Sequence, residues 1–292
     1  MTDPSSVTDP SSVTDPSSVT DPSRVTDPSR VTDPSNPGSS TTPRWAWIFL
    51  DCPEADAPAA WAWWAERTGT RLSPTRGAHG EFATLVPADG DPWVKVQATQ
   101  DGPPGVHLDL EVVDVQHAAV AAEGLGATRV DAIGDTVVLL RSLGGFGFCL
   151  TTAGGSNRRQ DRIGRTLLDQ VMLDVPSGIF DAELAFWSAL TGWPNATGSG
   201  GEFGVLTRPG GIPVRLLLQR VGHDGPVTGH VDLACADRAA AVADHEAAGA
   251  QVQGEGPRWT VLRDPFGRPY CLTDRDPVTG MLPEAGPARG RR

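Results

Sequence analysis

The chain has 292 residues, a length typical of two domains, and its 24 Lys and Arg against 36 Asp and Glu give a formal charge of −12. This acidic balance argues against nucleic acid and anionic membranes as partners, because both require a cationic protein surface. The N-terminus MTDPSSVTDP lacks the basic start and apolar core of a secretory signal, and the four cysteines form no CxxC pair. We therefore expect a cytoplasmic protein that binds neither nucleic acid nor membrane.

The N-terminal segment repeats a hexapeptide. TDPSSV occurs three times and TDPSRV twice, before the series ends at TDPSN. One valine in six residues buries too little apolar area to offset an ordering entropy of about 1 to 2 kcal/mol per residue. The repeat predicts a disordered tail over residues 1–42, and residues 276–292, rich in Pro, Gly and Arg, are expected to form a second disordered tail.

Removal of residues 1–42 is expected to leave the melting temperature unchanged, because a disordered tail makes no stabilising contacts with the folded domains. Scanning calorimetry of the full-length and truncated chains measures this. A fall of several degrees in the truncated chain would show instead that the repeats pack on the folded domains.

The remainder of the chain contains an internal duplication. Five landmarks return 122 or 123 residues later: LDCP (Leu50–Pro53) as LDVP (Leu173–Pro176), Trp64 as Trp187, Gln97 as Gln219, His107 as His230, and Cys149 as Cys271. Chance does not keep so many landmarks in register over a hundred residues. We therefore predict two homologous domains at residues 43–152 and 168–275, joined by a linker at residues 153–167.

Each predicted domain contains a smaller pattern twice: a strand, a helix and further strands. Apolar residues at helical spacing predict helices at about residues 56–68, 115–125, 180–191 and 238–248. The repeated unit is βαβββ, so we predict an α+β fold of four such units. Each helix is expected to cover one face of its sheet, which leaves the other face free to form a concavity.

The order of these motifs resembles a known family. The motifs are LDCP or LDVP, a helical WW or FW, the strand HLDLEV before an Ala-rich helix that ends in LGAT, and the closing VLRDPFGRPYCL. Over roughly 215 of the 292 residues the chain resembles the glyoxalase-like branch of the vicinal oxygen chelate superfamily, which includes glyoxalase, bleomycin-resistance and extradiol dioxygenase proteins. The resemblance implies two cupped barrels, each around a cavity in which many members bind a divalent metal.

The resemblance also indicates where metal ligands would lie. The corresponding positions are Trp47, Gln97, His107 and Cys149 in the first domain, and Gln170, Gln219, His230 and Cys271 in the second. None is a carboxylate, so the triad of two His and one carboxylate cannot be assembled. Trp47 has no lone pair to donate, whereas His230 and Cys271 are candidate zinc ligands. We predict no tightly bound cofactor, with a divalent metal in the second domain as the alternative.

Strand alternation places more polar side chains on the inner faces. If the two histidines face inward, the same faces also carry Asp109, Glu111, Asp174 and Asp232. A His–carboxylate pair that shuttles a proton is one interpretation, and a hydrogen-bonded structural histidine is the other. The two final-strand cysteines are expected to be small buried residues, because no neighbouring cation lowers their pKa.

The two predicted domains differ in what they offer a ligand. The first domain carries Trp47 and has SLGG (Ser142–Gly145) where the second has the turn DPFG (Asp264–Gly267), so we expect the first domain to be chiefly structural.

The leading hypothesis is a protein that binds a small organic molecule in the second domain without a tightly bound metal. The alternatives are a metal-dependent lyase, isomerase or dioxygenase, and a non-catalytic scaffold. A monomer and a homodimer both remain open. The helical residues Trp63, Trp64, Phe186 and Trp187 are predicted to belong to the core.

Overall fold

The computed structural model describes residues 41–100, 102–154, 164–198 and 200–283. The hexapeptide repeats, the middle of the expected linker and the last nine residues lie outside the described residues. None of the described helices is both long and apolar enough to span a membrane.

Each domain contains two βαβββ units, one after the other, and each unit consists of one strand, one helix and three further strands. The first domain contains β1 (Trp45–Pro53), α1 (Ala57–Arg67), β2 (Arg71–Leu72), β3 (Phe82–Val86), β4 (Val94–Thr99), β5 (Gly105–Val112), α2 (Val115–Gly124), β6 (Thr128–Ile133), β7 (Val137–Arg141) and β8 (Gly147–Thr152). The second contains β9 (Thr166–Pro176), α3 (Phe180–Thr191), β10 (Asn195–Thr197), β11 (Phe203–Leu206), β12 (Arg215–Val221), β13 (Thr228–Cys235), α4 (Arg238–Ala247), β14 (Gln251–Glu255), β15 (Trp259–Arg263) and β16 (Pro269–Thr273).

Each domain is built on one eight-stranded sheet. The order in the first domain is β2-β3-β4-β1-β5-β8-β7-β6, and the second domain has the same order of equivalent strands. The first strand of each βαβββ unit pairs in parallel with its last strand, and the two units of a domain meet where β1 pairs antiparallel with β5, or β9 with β13. The predicted α+β fold of four βαβββ units is confirmed.

Local sequence accounts for the ends of the helices. The carboxylates of Asp114 and Asp237 accept hydrogen bonds from backbone N–H groups three residues later and so cap α2 and α4. Gly192 ends α3 in the left-handed conformation, with φ of 70°. These signals explain why the predicted helix bounds lie within about two residues of the observed ones.

The helical aromatic residues belong to the core, as predicted, and they join the two domains. Trp64 in α1 is 1% exposed and its ring centroid lies 5.3 Å from that of Tyr270 in β16. Trp187 in α3 is fully buried and lies 5.1 Å from Phe148 in β8. Each domain therefore contributes its first helix to the core of the other, which buries the helix-covered faces and leaves the concave faces for other contacts.

The segment after β16 includes a turn. The carboxylate of Asp276 accepts hydrogen bonds from the backbone N–H groups of Val278 and Thr279. The backbone N–H of Asp276 donates to the carbonyl oxygen of Met281. The guanidinium of Arg258 also donates to the carbonyl of Pro283. Residues 276–283, which the sequence assigned to a disordered tail, are thus held by specific hydrogen bonds.

Candidate functional site: a repeated Asp–His–Asp–Cys group

The strand register brings four polar side chains together in the first domain. On the concave face, Asp109 of β5 pairs with Trp47 of β1 on one side and with Cys149 of β8 on the other. Nδ1 of His107 lies 2.7 Å from Oδ2 of Asp51, and Nε2 of the same ring lies 3.7 Å from Oδ1 of Asp109. The sulfur of Cys149 lies within 4.8 Å of a carboxylate oxygen of Asp109. We call these four residues the first tetrad.

The second domain repeats the arrangement at equivalent positions. Nδ1 of His230 lies 3.1 Å from Oδ2 of Asp174, and Nε2 lies 3.4 Å from Oδ1 of Asp232. Asp232 pairs with Cys271 of β16, whose sulfur lies within 4.8 Å of a ring nitrogen of His230. We call Asp174, His230, Asp232 and Cys271 the second tetrad. We expected the first domain to be chiefly structural. Its concavity nevertheless carries the same four residue types as the concavity of the second domain.

The tetrads raise the pKa of their histidines. Burial alone disfavours the imidazolium, but the hydrogen bond to Asp174 and the charge of Asp232 outweigh it and raise the pKa of His230 well above its ordinary value. The pKa of His107 is raised by Asp51 and Asp109 in the same way. Burial also raises the pKa of Asp232, against the opposing charges of His230 and Arg275.

The cysteines of the tetrads are held as thiols. Burial and the neighbouring carboxylate Asp109 raise the pKa of Cys149, and burial with Asp232 raises that of Cys271 although His230 opposes it. A thiol with a raised pKa is a poor nucleophile at neutral pH. Covalent catalysis through either sulfur is therefore disfavoured by its surroundings.

A carboxylate lies beside the candidate ligands in each domain, although none of the positions that the family resemblance indicated is itself a carboxylate. A ring nitrogen of the histidine, a carboxylate oxygen of Asp109 or Asp232 and the cysteine sulfur lie within 4.8 Å of one another in each domain. The carboxylate comes from the histidine's own strand, two residues further on, because alternate residues of a strand share a face. It does not occupy a position that the family resemblance had indicated.

These donors fit a borderline divalent ion such as zinc. Oδ1 of Asp109 and Oδ1 of Asp232 are buried and have no hydrogen-bond partner among the described residues. A carboxylate on Nδ1 of each histidine leaves Nε2 to face the group, as in proteins where a histidine binds a metal. Imidazole, carboxylate and thiolate together suit zinc, whereas the non-haem iron triad has two histidines and no sulfur.

The other candidate residues lie around the tetrads with their own partners. Gln170 donates to Oδ2 of Asp232 at 2.5 Å, and Gln219 donates to Glu202 at 3.3 Å. Trp47 donates its indole N–H to Glu111 at 2.7 Å, so this glutamate ties β1 to β5 and is not part of the tetrad. Gln97 pairs with Asp51 in the register of β4 and β1.

Two residues of the first concavity were not chosen as candidates from the sequence. Alternation along the first strand puts Asp51 on the inward face, but only Asp174, its counterpart at an offset of 123 residues, was chosen as a candidate. Lys95 places its ammonium group 4.1 Å from the ring centroid of Trp47 and 5.0 Å from that of Phe49. Burial lowers the pKa of Lys95. Leucine stands at its repeat position, so the duplication carried no signal for it.

Comparisons with known proteins agree with this architecture. The sequence profile described as "Glyoxalase-like domain" matches twice, at residues 47–151 and 170–273. The Mn(II)-bound glyoxalase from Novosphingobium aromaticivorans is 16% identical with a TM-score of 0.56, covering 80% of this chain and 81% of that one. The 2,2',3-trihydroxybiphenyl 1,2-dioxygenase from Sphingomonas wittichii strain RW1 is 13% identical with a TM-score of 0.53, covering 80% and 90%. At such identities the structures indicate a shared fold alone. A comparison with curated protein sequences finds no match.

Proposed function

Because this chain belongs to the glyoxalase-like domain family, within the vicinal oxygen chelate superfamily, we propose that it binds a small organic molecule in the concavity of its second domain, without a tightly bound metal. The observation that carries the proposal is the buried Oδ1 of Asp232, which forms an ion pair with Nε2 of His230 at 3.4 Å but accepts no hydrogen bond from the described residues. A buried acceptor without a partner is costly, and a hydroxyl or N–H group of a ligand would satisfy it.

The second tetrad offers such a ligand complementary groups. The raised pKa of His230 keeps the ring as an imidazolium, whose Nε2–H can donate to a carbonyl or hydroxyl oxygen. Asp174 holds the other ring nitrogen and so fixes the orientation of the imidazole. A ligand with an oxygen beside a hydroxyl or N–H group would therefore match the pair His230 and Asp232.

Proton competition favours a site without tightly bound metal at neutral pH. A metal requires the neutral form of His230 and the thiolate form of Cys271, and both groups have a raised pKa. Metal binding would have to release both protons, which lowers the apparent affinity of the site. An organic ligand needs no such loss of protons.

A thermal-shift screen of a metabolite and antibiotic library on the full-length chain tests the proposal. A ligand at about 100 times its dissociation constant adds about 2.7 kcal/mol of stability. We expect that His230→Gln weakens binding by about ten- to a hundredfold, because a hydrogen bond to a charged group is lost. The matched variant His107→Gln, in the first tetrad, is expected to retain the wild-type affinity.

Two results would contradict the proposal. Ligand binding that is lost in His107→Gln but retained in His230→Gln would place the ligand in the first domain. No shift with any compound would favour the non-catalytic scaffold.

A metal-dependent lyase, isomerase or dioxygenase is the second candidate function, favoured by the three donor atoms that converge within 4.8 Å. His230, Asp232 and Cys271 would hold the ion, and Asp174 would orient the imidazole. When bound, a divalent metal supplies a Lewis acid that polarises a substrate oxygen. The burial of these side chains would exclude water from the reacting group.

Elemental analysis of protein purified without chelators separates the two candidates. We expect less than stoichiometric zinc, manganese, nickel and iron, because the His230 and Cys271 protons compete with the metal. One equivalent of any of these metals, lost in Asp232→Asn but kept in the variant Asp135→Asn at an exposed turn, would overturn the metal-free proposal.

A further inference from the structure

A buried arginine without its full set of hydrogen bonds lies beside the second tetrad. Arg275 lies two residues beyond the end of β16, the strand that carries Cys271. It is 7% exposed, and its Nη1 donates to Oδ1 of Asp169 at 2.9 Å. Its Nε and Nη2 are buried and have no hydrogen-bond partner in the described part of the chain.

The unpartnered nitrogens lie on one edge of the guanidinium. Nε–H and one N–H of Nη2 point in parallel along this edge, with a spacing that matches the two oxygens of a carboxylate. Nη1, on the opposite edge, already holds Asp169. Arg275 therefore has two parallel N–H donors, a two-donor fork, that bind no acceptor among the described residues.

The surroundings connect this fork to the second tetrad. Asp169 lies beside Gln170 at an irregularity in the pairing of β9 with β13. Its Oδ2 also accepts a hydrogen bond from Nε of Arg215 at 3.3 Å. Two guanidinium groups thus share one carboxylate. Asp232 pairs with Gln170 in the same register, and the charge of Arg275 opposes the rise of its pKa.

In the first domain, the described residues place no arginine at the position that corresponds to Arg275. The 122-residue offset that relates Cys149 to Cys271 relates Ala153 to Arg275. The side chain that reaches this end of the first concavity is Glu111, whose Oε2 accepts from the N–H of Gly154. The two concavities share a tetrad but differ in charge at this end.

We propose that the ligand of the second domain is a carboxylic acid, whose carboxylate binds the Nε and Nη2 edge of Arg275 while another polar group reaches His230. The inference rests on the proposed function and gives it a substrate class. It also accounts for the choice of domain, since Ala153 stands at the position of Arg275 in the first domain.

Nuclear magnetic resonance of the full-length chain tests the inference. The Nε–H signal of Arg275 is assigned by its loss in Arg275→Lys, and sodium benzoate and sodium acetate are titrated at constant ionic strength against benzamide and acetamide. We expect a saturable shift with the carboxylates and binding at least about tenfold weaker for the amides, because only a carboxylate fills both donors. Arg275→Lys keeps the charge beside Asp169 and is expected to weaken benzoate binding by about tenfold, because lysine lacks the fork.

Arg220→Lys is the matched control, because this arginine lies in the same sheet but binds Asp181 and the carbonyl of Ser177. It is expected to bind benzoate within about twofold of the wild type, since the guanidinium of Arg220 is already occupied by these two partners and the substitution keeps its charge. Equal affinity for benzoate and benzamide, or no saturable shift with either carboxylate, would overturn the inference. A larger response to inorganic phosphate than to benzoate would overturn it in favour of a phosphoryl group. Neutral library compounds that still require His230 would leave the proposed function standing.

Discussion

Arg268→Met is expected to lower the free energy of unfolding by about 3 to 5 kcal/mol, because it leaves a buried carboxylate without its cation. The side chain of Arg268 is 4% exposed and that of Asp264 is fully buried, with Nε and Oδ2 3.8 Å apart. Arg268 also donates to the carbonyl oxygens of Gly105 and Asp51 in the first domain. Asp264 accepts the indole N–H of Trp64 at 2.9 Å. The arginine therefore links the second domain to the strand that carries Asp51 of the first tetrad.

Urea unfolding at neutral pH measures this effect, and the duplication provides a control. Phe146 stands at the repeat position of Arg268, is 3% exposed and lies 6.1 Å from Trp187. Phe146→Met exchanges one apolar group for another and is expected to cost less than about 1.5 kcal/mol. The double variant Asp264→Asn, Arg268→Met should lose less than the sum of the two single variants, because the unpaired charge is gone. A single-variant loss no larger than that of Phe146→Met would contradict the expectation.

The internal duplication made most of the fold predictable. Offsets of 122 and 123 residues identified equivalent strands and helices, and helical spacing located α1 to α4 within about two residues. The same patterns placed Trp64 and Trp187 in the core. They did not show that each of these rings packs against the other domain, because a hydrophobic pattern records that a side chain is buried and not what covers it.

The site was less predictable because its geometry depends on contacts between strands. Alternation correctly put Asp109 and Asp232 on the same faces as the histidines, but the alignment to family ligand positions led to the conclusion that a carboxylate was missing. Whether an aspartate two residues from a histidine reaches the same group depends on its rotamer and on its neighbours, here Cys149 and Cys271. The proposed role of Arg275 could not be identified from the sequence, since its partner Asp169 lies at a local irregularity in β9 and Ala153 stands at its repeat position in the first domain.

Acid is expected to destabilise the protein through His245, independently of the tetrads. This histidine of α4 is 1% exposed, and its Nδ1 lies 2.8 Å from the hydroxyl of Tyr270. Trp63 of the first domain packs against its ring at 5.5 Å. Burial, with a smaller contribution from the charge of Arg67 that Asp244 opposes, lowers the pKa of His245 to about 4. The folded state therefore holds this ring neutral where the unfolded chain would be protonated.

The sign of the effect follows from proton linkage. Below pH 6.5, the approximate pKa of His245 in the unfolded chain, this histidine is protonated in the unfolded state but stays neutral in the folded state. The free energy of unfolding therefore falls as the pH decreases from about 6.5 to 4. The loss by pH 4 is about 3 kcal/mol, from a pKa difference of about 2.5. Urea unfolding of the wild type and of His245→Gln over this range isolates the contribution, since all other titrating groups are common to both proteins.

His245→Gln is expected to be less stable than the wild type at pH 7 and to approach or exceed it near pH 4, because glutamine retains a hydrogen-bonding group but does not titrate. The tetrad histidines do not produce this difference, since their raised pKa values keep them protonated in the folded state below pH 6.5. Parallel stability curves for the two proteins would exclude a depressed pKa at His245. Because His245 lies against Trp63, a stability difference that develops in acid would locate the acid-sensitive contact where the two domains meet, away from the proposed ligand site.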